Sequence, residues 1–195
     1  IRLLTEMLPD HKNKNRLANE VIFLKGMVTN LLMSDRLSGP YANLDLANIK
    51  IEDIIDKSIA MFPDSESKIT VLGDVPKLLL NIDITKISLA LRNLIENAIK
   101  YGDEKKKIEI KVKLFSEKWI DIFVKNYGKG ISKENIDKIT IPFFRIKDQN
   151  ITKKSGFGMG LSITKKIIDA HNGALLIHSE IDKYTQFIIR LPIQE

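Results

Sequence analysis

The most constraining stretch of this chain runs from Ile84 to Tyr101, where Ile87, Leu91, Leu94, Ile95 and Ala98 fall on one stripe at helical spacing and Gly102 stands where such a helix stops. The pattern predicts a helix over 84–101 packed on its apolar side. Beside the stripe, a spacing of four residues sets Asn93 and Asn97 one above the other, and Lys100 and Tyr101 follow on the next turn. These groups suit a magnesium-bound polyphosphate. An Asn carbonyl oxygen can ligate the hard cation without adding negative charge beside the phosphates, and a lysine answers the phosphate charge. The plainer reading, amides and a lysine on a solvated face, would hold if nothing downstream added to it.

The chain ahead of that helix changes character once. Ile1, Leu4 and Leu8 make a short helical stripe ended by Pro9-Asp10, and from Arg16 to Leu37 the positions Leu17, Val21, Leu24, Val28 and Leu31 alternate spacings of four and three, a heptad seam. This reads as a helical hairpin, residues 1–37, with a truncated first arm. Two helices bury too little alone. The choice is between packing on the following domain and a dimeric four-helix bundle, and the narrow seam with polar flanks favours the bundle. Ser38-Gly39-Pro40 then breaks the helix and opens a second domain, residues 38–195.

In that domain the pattern is mixed. Leu44–Leu46 reads as a short strand, Ile51–Met61 as a helix, and 68–72 and 77–82 as strands. Lys107–Phe115 and Trp119–Val124 alternate apolar and charged residues and read as an antiparallel hairpin. The second strand runs into Asn126-Tyr127-Gly128-Lys129-Gly130-Ile131. The polar segment 132–155 carries a short Pro142-Phe143-Phe144-Arg145 island and reads as a lid. It ends in Gly156-Phe157-Gly158-Met159-Gly160-Leu161, directly before an amphipathic helix over Ser162–His171. Glycines ahead of a helix N-terminus let backbone N–H groups approach an anion closely, and the helix dipole favours negative charge there. Two strands, 174–179 and 185–191, close the chain. The glycine spacing lacks the Gly-Lys-Ser/Thr ending of a P-loop and the strand and ribose-binding acid of a dinucleotide-binding unit.

Composition sets the outer bounds. A length of 195 residues with 44% hydrophobic content supports one well-buried domain and a small accessory element, and the absence of cysteine removes disulfides and thiolate metal sites. No apolar run reaches membrane-span length and no signal peptide opens the chain, so a soluble, cytoplasmic segment without membrane contact is expected. The net charge of +6 comes mostly from lysines scattered among acids, with one cluster at Lys105–Lys107 in a turn, so nucleic acid is not expected as a partner. His11, His171 and His178 have no metal-ligand spacing.

Taken in order, these motifs resemble those of the catalytic ATP-binding domain of sensor histidine kinases, in the Bergerat ATPase superfamily. Asn93–Tyr101 is similar to the family's N box, Asn126–Ile131 to its first glycine box, Pro142–Arg145 to its F box and Gly156–Leu161 to its second glycine box. Residues 1–37 resemble part of the family's dimerisation hairpin. The resemblance implies a two-layer α/β sandwich with a mixed, mostly antiparallel sheet and helices on one face, preceded by the truncated hairpin. It implies a histidine protein kinase using ATP and Mg2+, with a response-regulator receiver domain as partner and a homodimer formed through the intact hairpin. Its full-length form would be anchored in the bacterial inner membrane.

By position, the resemblance makes Asn97 the magnesium ligand and sets Asn93, Lys100 and Tyr101 near the phosphates and ribose. Asn93 and Arg145 are the implied catalytic residues, Arg145 reaching the terminal phosphate. Gly156, Gly158, Met159, Gly160 and Leu161 would wrap the triphosphate; Gly128, Gly130 and Ile131 would shape the adenine pocket, with Asn126, Phe143 and Thr185 also in the nucleotide site.

Three departures accompany it. The family has an Asp at the adenine position where this chain has Asn126, and Glu-Pro-Phe where this chain has Ile141-Pro142-Phe143. The phosphoacceptor histidine is expected roughly two to three helical turns ahead of Ile1. The alternative to a kinase core is a degenerate nucleotide-binding or dimerisation module that scaffolds a response regulator. A gyrase- or chaperone-type ATPase is disfavoured by the small domain and the preceding hairpin.

Overall fold

A computed structural model describes residues 14–36, 44–146 and 158–193. Helix α1 (Lys14–Arg36) comes first, then β1 (Ala47–Lys50), α2 (Ile51–Ile59), a 3-10 turn over Pro63–Lys68, β2 (Ile69–Leu72) and β3 (Leu79–Ile82). The long helix α3 (Ile84–Tyr101) leads to β4 (Ile108–Ser116), β5 (Trp119–Tyr127), the single-turn α4 (Lys133–Ile136), α5 (Gly160–Ala170), β6 (Ala174–Glu180) and β7 (Tyr184–Pro192). The expected first arm of the hairpin and the break at Ser38–Pro40 lie outside the described residues.

The main sheet has the order β2-β4-β5-β7-β6, with β2–β4 parallel and the other pairs antiparallel. A two-stranded β1–β3 ribbon lies apart from it. Period-two alternation sends Ile108, Ile110, Val112, Ile120, Ile122 and Val124 to one face, where they form a single core with α2, α3 and α5. Helix α3 contributes Ile87, Leu91, Leu94 and Ile95, each with no exposed surface. Full burial of a large aliphatic is worth about 1.5–3 kcal/mol, which makes this helix the main apolar donor to the layer beneath the sheet. The architecture is the two-layer mixed sandwich expected from the sequence.

Several boundaries moved, and β5 runs on to Tyr127 rather than ending at Val124. The first strand is 47–50 rather than 44–46, because Ala47–Lys50 pair in register with Leu79–Ile82. Helix α2 ends at Ile59, two residues short of expectation. Helix α5 begins at Gly160 rather than Ser162, with Ile163 N–H already donating to the Met159 carbonyl at 3.0 Å, so the last glycine is itself helical. Helix α1 packs against α5 and lays Met27 on the core, yet the seam residues Leu17, Leu24, Val28 and Leu31 remain exposed.

Asp83 holds this layer together. Its side chain caps α3 by accepting from Lys86 N–H at 3.0 Å and accepts from Asp45 N–H at 3.1 Å. Burial raises the carboxyl pKa, but the hydrogen bonds from the Lys86 side chain and backbone and from Asp45 outweigh it and hold the group below its ordinary value. The Asp83 N–H donates to His171 Nε2 at 3.1 Å, and the other ring nitrogen, Nδ1, lies 2.7 Å from the Ile167 carbonyl. That pairing makes His171 the neutral Nδ1–H tautomer. Burial lowers its pKa, with Lys86 acting the same way and the Ile167 carbonyl and Asp83 opposing.

A histidine whose folded pKa is depressed stabilises the fold above its unfolded value, and that contribution is lost as pH falls toward the folded value. Urea midpoints should therefore drop as pH is lowered from about 7 to about 5, and His171→Gln should flatten the trend in that window. An equally steep trend in the variant would assign the dependence to other groups.

Candidate functional site

The predicted site residues come from five segments: the C-terminal half of α3, residues 126–131 at the end of β5, residues 143–145, the glycine run before α5, and Thr185 on β7. Asn93 and Asn97 are half-buried on the α3 face that turns toward the start of α5. Asn93 Nδ2 donates to the Gly160 carbonyl at 3.2 Å and approaches Thr164 Oγ1 at 3.4 Å. This amide orients the glycine-rich turn against α3. The Asn97 side chain makes no hydrogen bond to the described residues, so its amide oxygen is available to a ligand. Among the described residues no group of three His, Asp or Glu side chains could hold a metal. A hard cation at Asn97 would thus have to take most of its oxygen ligands from the phosphates it accompanies, which is how Mg2+ binds in such sites.

At the last turn of α3, the Lys100 ammonium lies 5.4 Å from the centroid of the Tyr101 ring. Burial raises the Tyr101 pKa; the charge of Arg145 opposes that shift and Glu96 adds to it. Arg145 thus acts electrostatically on the α3 terminus from the Pro142–Arg145 segment. That segment is tied to the glycine turn: Phe143 N–H donates to the Gly158 carbonyl at 3.0 Å, with Phe143 in the left-handed region at φ 65. Gly158 has φ +69, and a Cβ there would meet the Phe144 carbonyl oxygen at 2.8 Å. At Gly160 the nearest atom to such a Cβ is Asn93 Cγ at 3.7 Å, an ordinary contact. Gly158 is therefore demanded by the chain's own packing, whereas Gly160 is small facing Asn93. Met159 is buried and Leu161 half-buried beside them; Gly156 lies outside the described residues.

The first glycine box closes the other end. Asn126 and Thr185 are paired positions on β5 and β7, both buried and both pointing to the helix side of the sheet. Gly128 forms an isolated bridge with Gly102 at the end of α3. Gly130 has φ +70, and a Cβ would come 2.3 Å from the Glu180 carbonyl oxygen, so it too is fixed by packing against the β6–β7 turn. Ile131 N–H donates to Ser179 Oγ at 2.8 Å, and Ser179 lies 3.0 Å from Thr185 Oγ1. Ser179 and Thr164 are contacts that the sequence reading missed; each is an ordinary strand or helix residue whose partner is distant along the chain.

The family model for histidine kinase-, DNA gyrase B- and HSP90-like ATPases matches residues 82–195. The sensor protein kinase WalK of Staphylococcus aureus is 30% identical over 173 residues, 86% of this chain and 41% of that protein. The catalytic domain of the histidine kinase ThkA superposes with a TM-score of 0.65 at 29% identity, covering 76% of this chain and 95% of that one. Full-length ShkA in complex with AMPPNP superposes with a TM-score of 0.80 at 20% identity, covering 100% of this chain and 42% of that one, a likeness of fold. The chain spans less than half the length of the curated relatives it matches.

The two glycines should separate by substitution. Gly158→Ala should cost about 1–3 kcal/mol of stability, from positive φ and backbone overlap, while Gly160→Ala should stay within about 1 kcal/mol of wild type. Urea denaturation of both variants checks this, and equal losses would contradict the assignment.

Proposed function

The chain belongs to the family of histidine kinase-, DNA gyrase B- and HSP90-like ATPases, and we propose that it is the ATP-binding kinase core of a two-component sensor histidine kinase. On this reading it uses Mg-ATP to phosphorylate a histidine on a dimerisation helix, for transfer to an aspartate of a response-regulator receiver domain. The observation that carries the reading is the contact of the Asn93–Asn97 face of α3 with the glycine-rich start of α5, held by the Asn93 bond to Gly160. That contact sets an amide face against a helix N-terminus, with Lys100 and Tyr101 on the next turn of α3, groups of the kind a polyphosphate requires. The names of WalK and ThkA, a sensor kinase and a histidine kinase, support the same reading, as does the AMPPNP bound by ShkA.

In this scheme Asn97 would hold Mg2+ through its side-chain oxygen, and the cation would supply positive charge against that of the polyphosphate. Asn93 fixes the second glycine box and faces the phosphates. Lys100 and Tyr101 bind phosphate and ribose oxygens. Arg145, a planar and permanently charged donor, offsets charge on the group in transfer. The backbone N–H groups at the start of α5 receive phosphate oxygens, and Gly160 leaves room for them to approach. Asn126, with Thr185, reads the base.

The acceptor is a histidine other than His171, which is buried and hydrogen-bonded at both nitrogens, and other than His178, which stands on the sheet. The exposed seam of α1 supports homodimerisation through the hairpin. No helix among the described residues is long and apolar enough to cross a membrane. We place the chain in the cytoplasm, as part of a longer membrane-anchored sensor.

Titration calorimetry with a non-hydrolysable ATP analogue tests the site. Binding should require Mg2+ and weaken in Asn97→Ala; unchanged affinity in that variant would remove the metal assignment. Incubation with radiolabelled ATP should leave the chain itself unlabelled, and acid-labile label on it would show that the acceptor lies within these 195 residues.

The base contact gives a further expectation. A neutral Asn accepts the adenine amino group more weakly than a carboxylate does, by on the order of 1 kcal/mol, so Asn126→Asp should tighten ATP roughly fivefold and leave ITP nearly unaffected. Loss of ATP binding in both wild type and Asn126→Asp would favour a non-catalytic scaffold.

A further inference from the structure

The sheet has a second face. The helices α2, α3 and α5 cover one side, and no described helix or loop covers the other. Strand alternation and register fix what stands there. Leu72, Lys111, Phe123, Ile188 and Leu176 form one row across β2, β4, β5, β7 and β6. Ile188 is only 6% exposed although it faces away from the helix-side core, so the outer face carries a small apolar cluster of its own. Around Phe123 lies an open depression of about 250 Å3, rimmed by Lys111, Lys113 and Lys125 and by Leu72, Gln186 and Glu109.

Charge on this face is unbalanced. Asp121 is taken by Arg190, which donates through Nε at 2.7 Å and Nη2 at 2.8 Å, and Glu109 accepts from the Tyr127 hydroxyl at 3.0 Å. Lys111 and Lys113 have no ion pair among the described residues. Three ammonium groups therefore share the depression with one carboxylate that is already hydrogen-bonded. Strand geometry places Lys125 and Lys113 one row to either side of the apolar row, roughly 7 Å away in each direction.

We propose that this outer face is a docking surface for an acidic segment of a partner protein, one that presents an apolar side chain to Phe123 with carboxylates on both sides of it. A second copy of this chain is a poor occupant, since each copy carries +6 and would meet the lysine rim with like charge. Single-stranded nucleic acid is also disfavoured. It needs several aromatic faces in succession to stack on, and here Phe123 is the one left open: Lys125 Nζ lies 4.7 Å from the centroids of both Tyr127 and Tyr184, while the Arg190 guanidinium covers Phe115 at 3.4 Å. What is left is an apolar anchor point inside a cationic rim, complementary to an acidic peptide with one hydrophobic residue. The surface lies on the opposite side of the sheet from the α3–α5 site, so it can be occupied without obstructing that site.

The probe is an acetylated and amidated pentapeptide with a central phenylalanine between two pairs of acidic residues, titrated into the isotopically labelled chain and followed by amide chemical shifts. Shifts should centre on Lys111, Phe123, Lys125 and Ile188. Affinity should fall roughly tenfold when Lys111→Glu and Lys125→Glu are combined, and severalfold in Phe123→Ala. Lys111→Gln with Lys113→Gln, which places no new carboxylate beside Glu109, should give a smaller loss in the same direction. The proposal is overturned if the shifts fall on Lys100 and Arg145 instead, or if the charge variants bind as wild type does. It is equally overturned if the same peptide with a central glycine binds equally well, which would leave a charge effect without an anchor. Tighter binding of a short oligothymidylate to the same amides would replace the protein partner with nucleic acid.

Discussion

The structure depends on how α3 is held at its N-terminus. Asp83 satisfies the first turn of that helix, takes a backbone N–H from Asp45 and gives its own N–H to His171 at the end of α5. One residue thus joins the strand layer entering the domain, the helix that carries the amide face and the helix that carries the glycine-rich start. Because Asp83 and His171 are themselves buried, leaving their polar groups unpartnered would cost more than the bonds contribute in water. The relative setting of α3 and α5 follows from them, and the position of Asn93 against Gly160 follows from that setting.

The glycine boxes show how a binding loop can be shaped by contacts that involve no ligand. Gly130 and Gly158 adopt positive φ, and each lies so close to another backbone segment that a methyl group would overlap a carbonyl oxygen. These residues anchor the loops to the β6–β7 turn and to the Phe143–Arg145 segment. Gly160 differs, since its missing side chain opens space toward Asn93. The family resemblance assigns all of these glycines to the nucleotide, but the physical demand on them divides between packing and approach.

The two faces of the main sheet carry different chemistry because pleating separates them. Inward positions on β5 and β7 end in Asn126 and Thr185, beside the C-terminal end of α3. Outward positions on the same strands hold Phe123, Lys125, Gln186 and Ile188, set off from the helices by the full thickness of the sheet. A one-residue slip in register would exchange the two sets, so the antiparallel pairing that builds the core also keeps the faces distinct.

Local signals in the sequence determined a good part of this. The helix over 84–101 has the limits its stripe and Gly102 predict, and the β4–β5 hairpin follows from alternation, because periodicity and helix termination act over a few residues. The order of the amide helix, the two glycine-rich turns and the Pro-Phe-Phe-Arg island was enough to recognise the family and to select Asn93 and Asn97 as a pair. Tertiary structure alone decided which distant groups meet. Nothing local to Asp83 specifies His171, 88 residues away, nothing near Ile131 specifies Ser179, and nothing in the glycine run specifies that Gly158 would press on Phe144 while Gly160 would not. The first strand was misplaced for the same reason, since its position is set by pairing with Leu79–Ile82. Those contacts arise from packing a layer of helices on a sheet, and their partners are chosen by three-dimensional proximity that no short window of sequence contains.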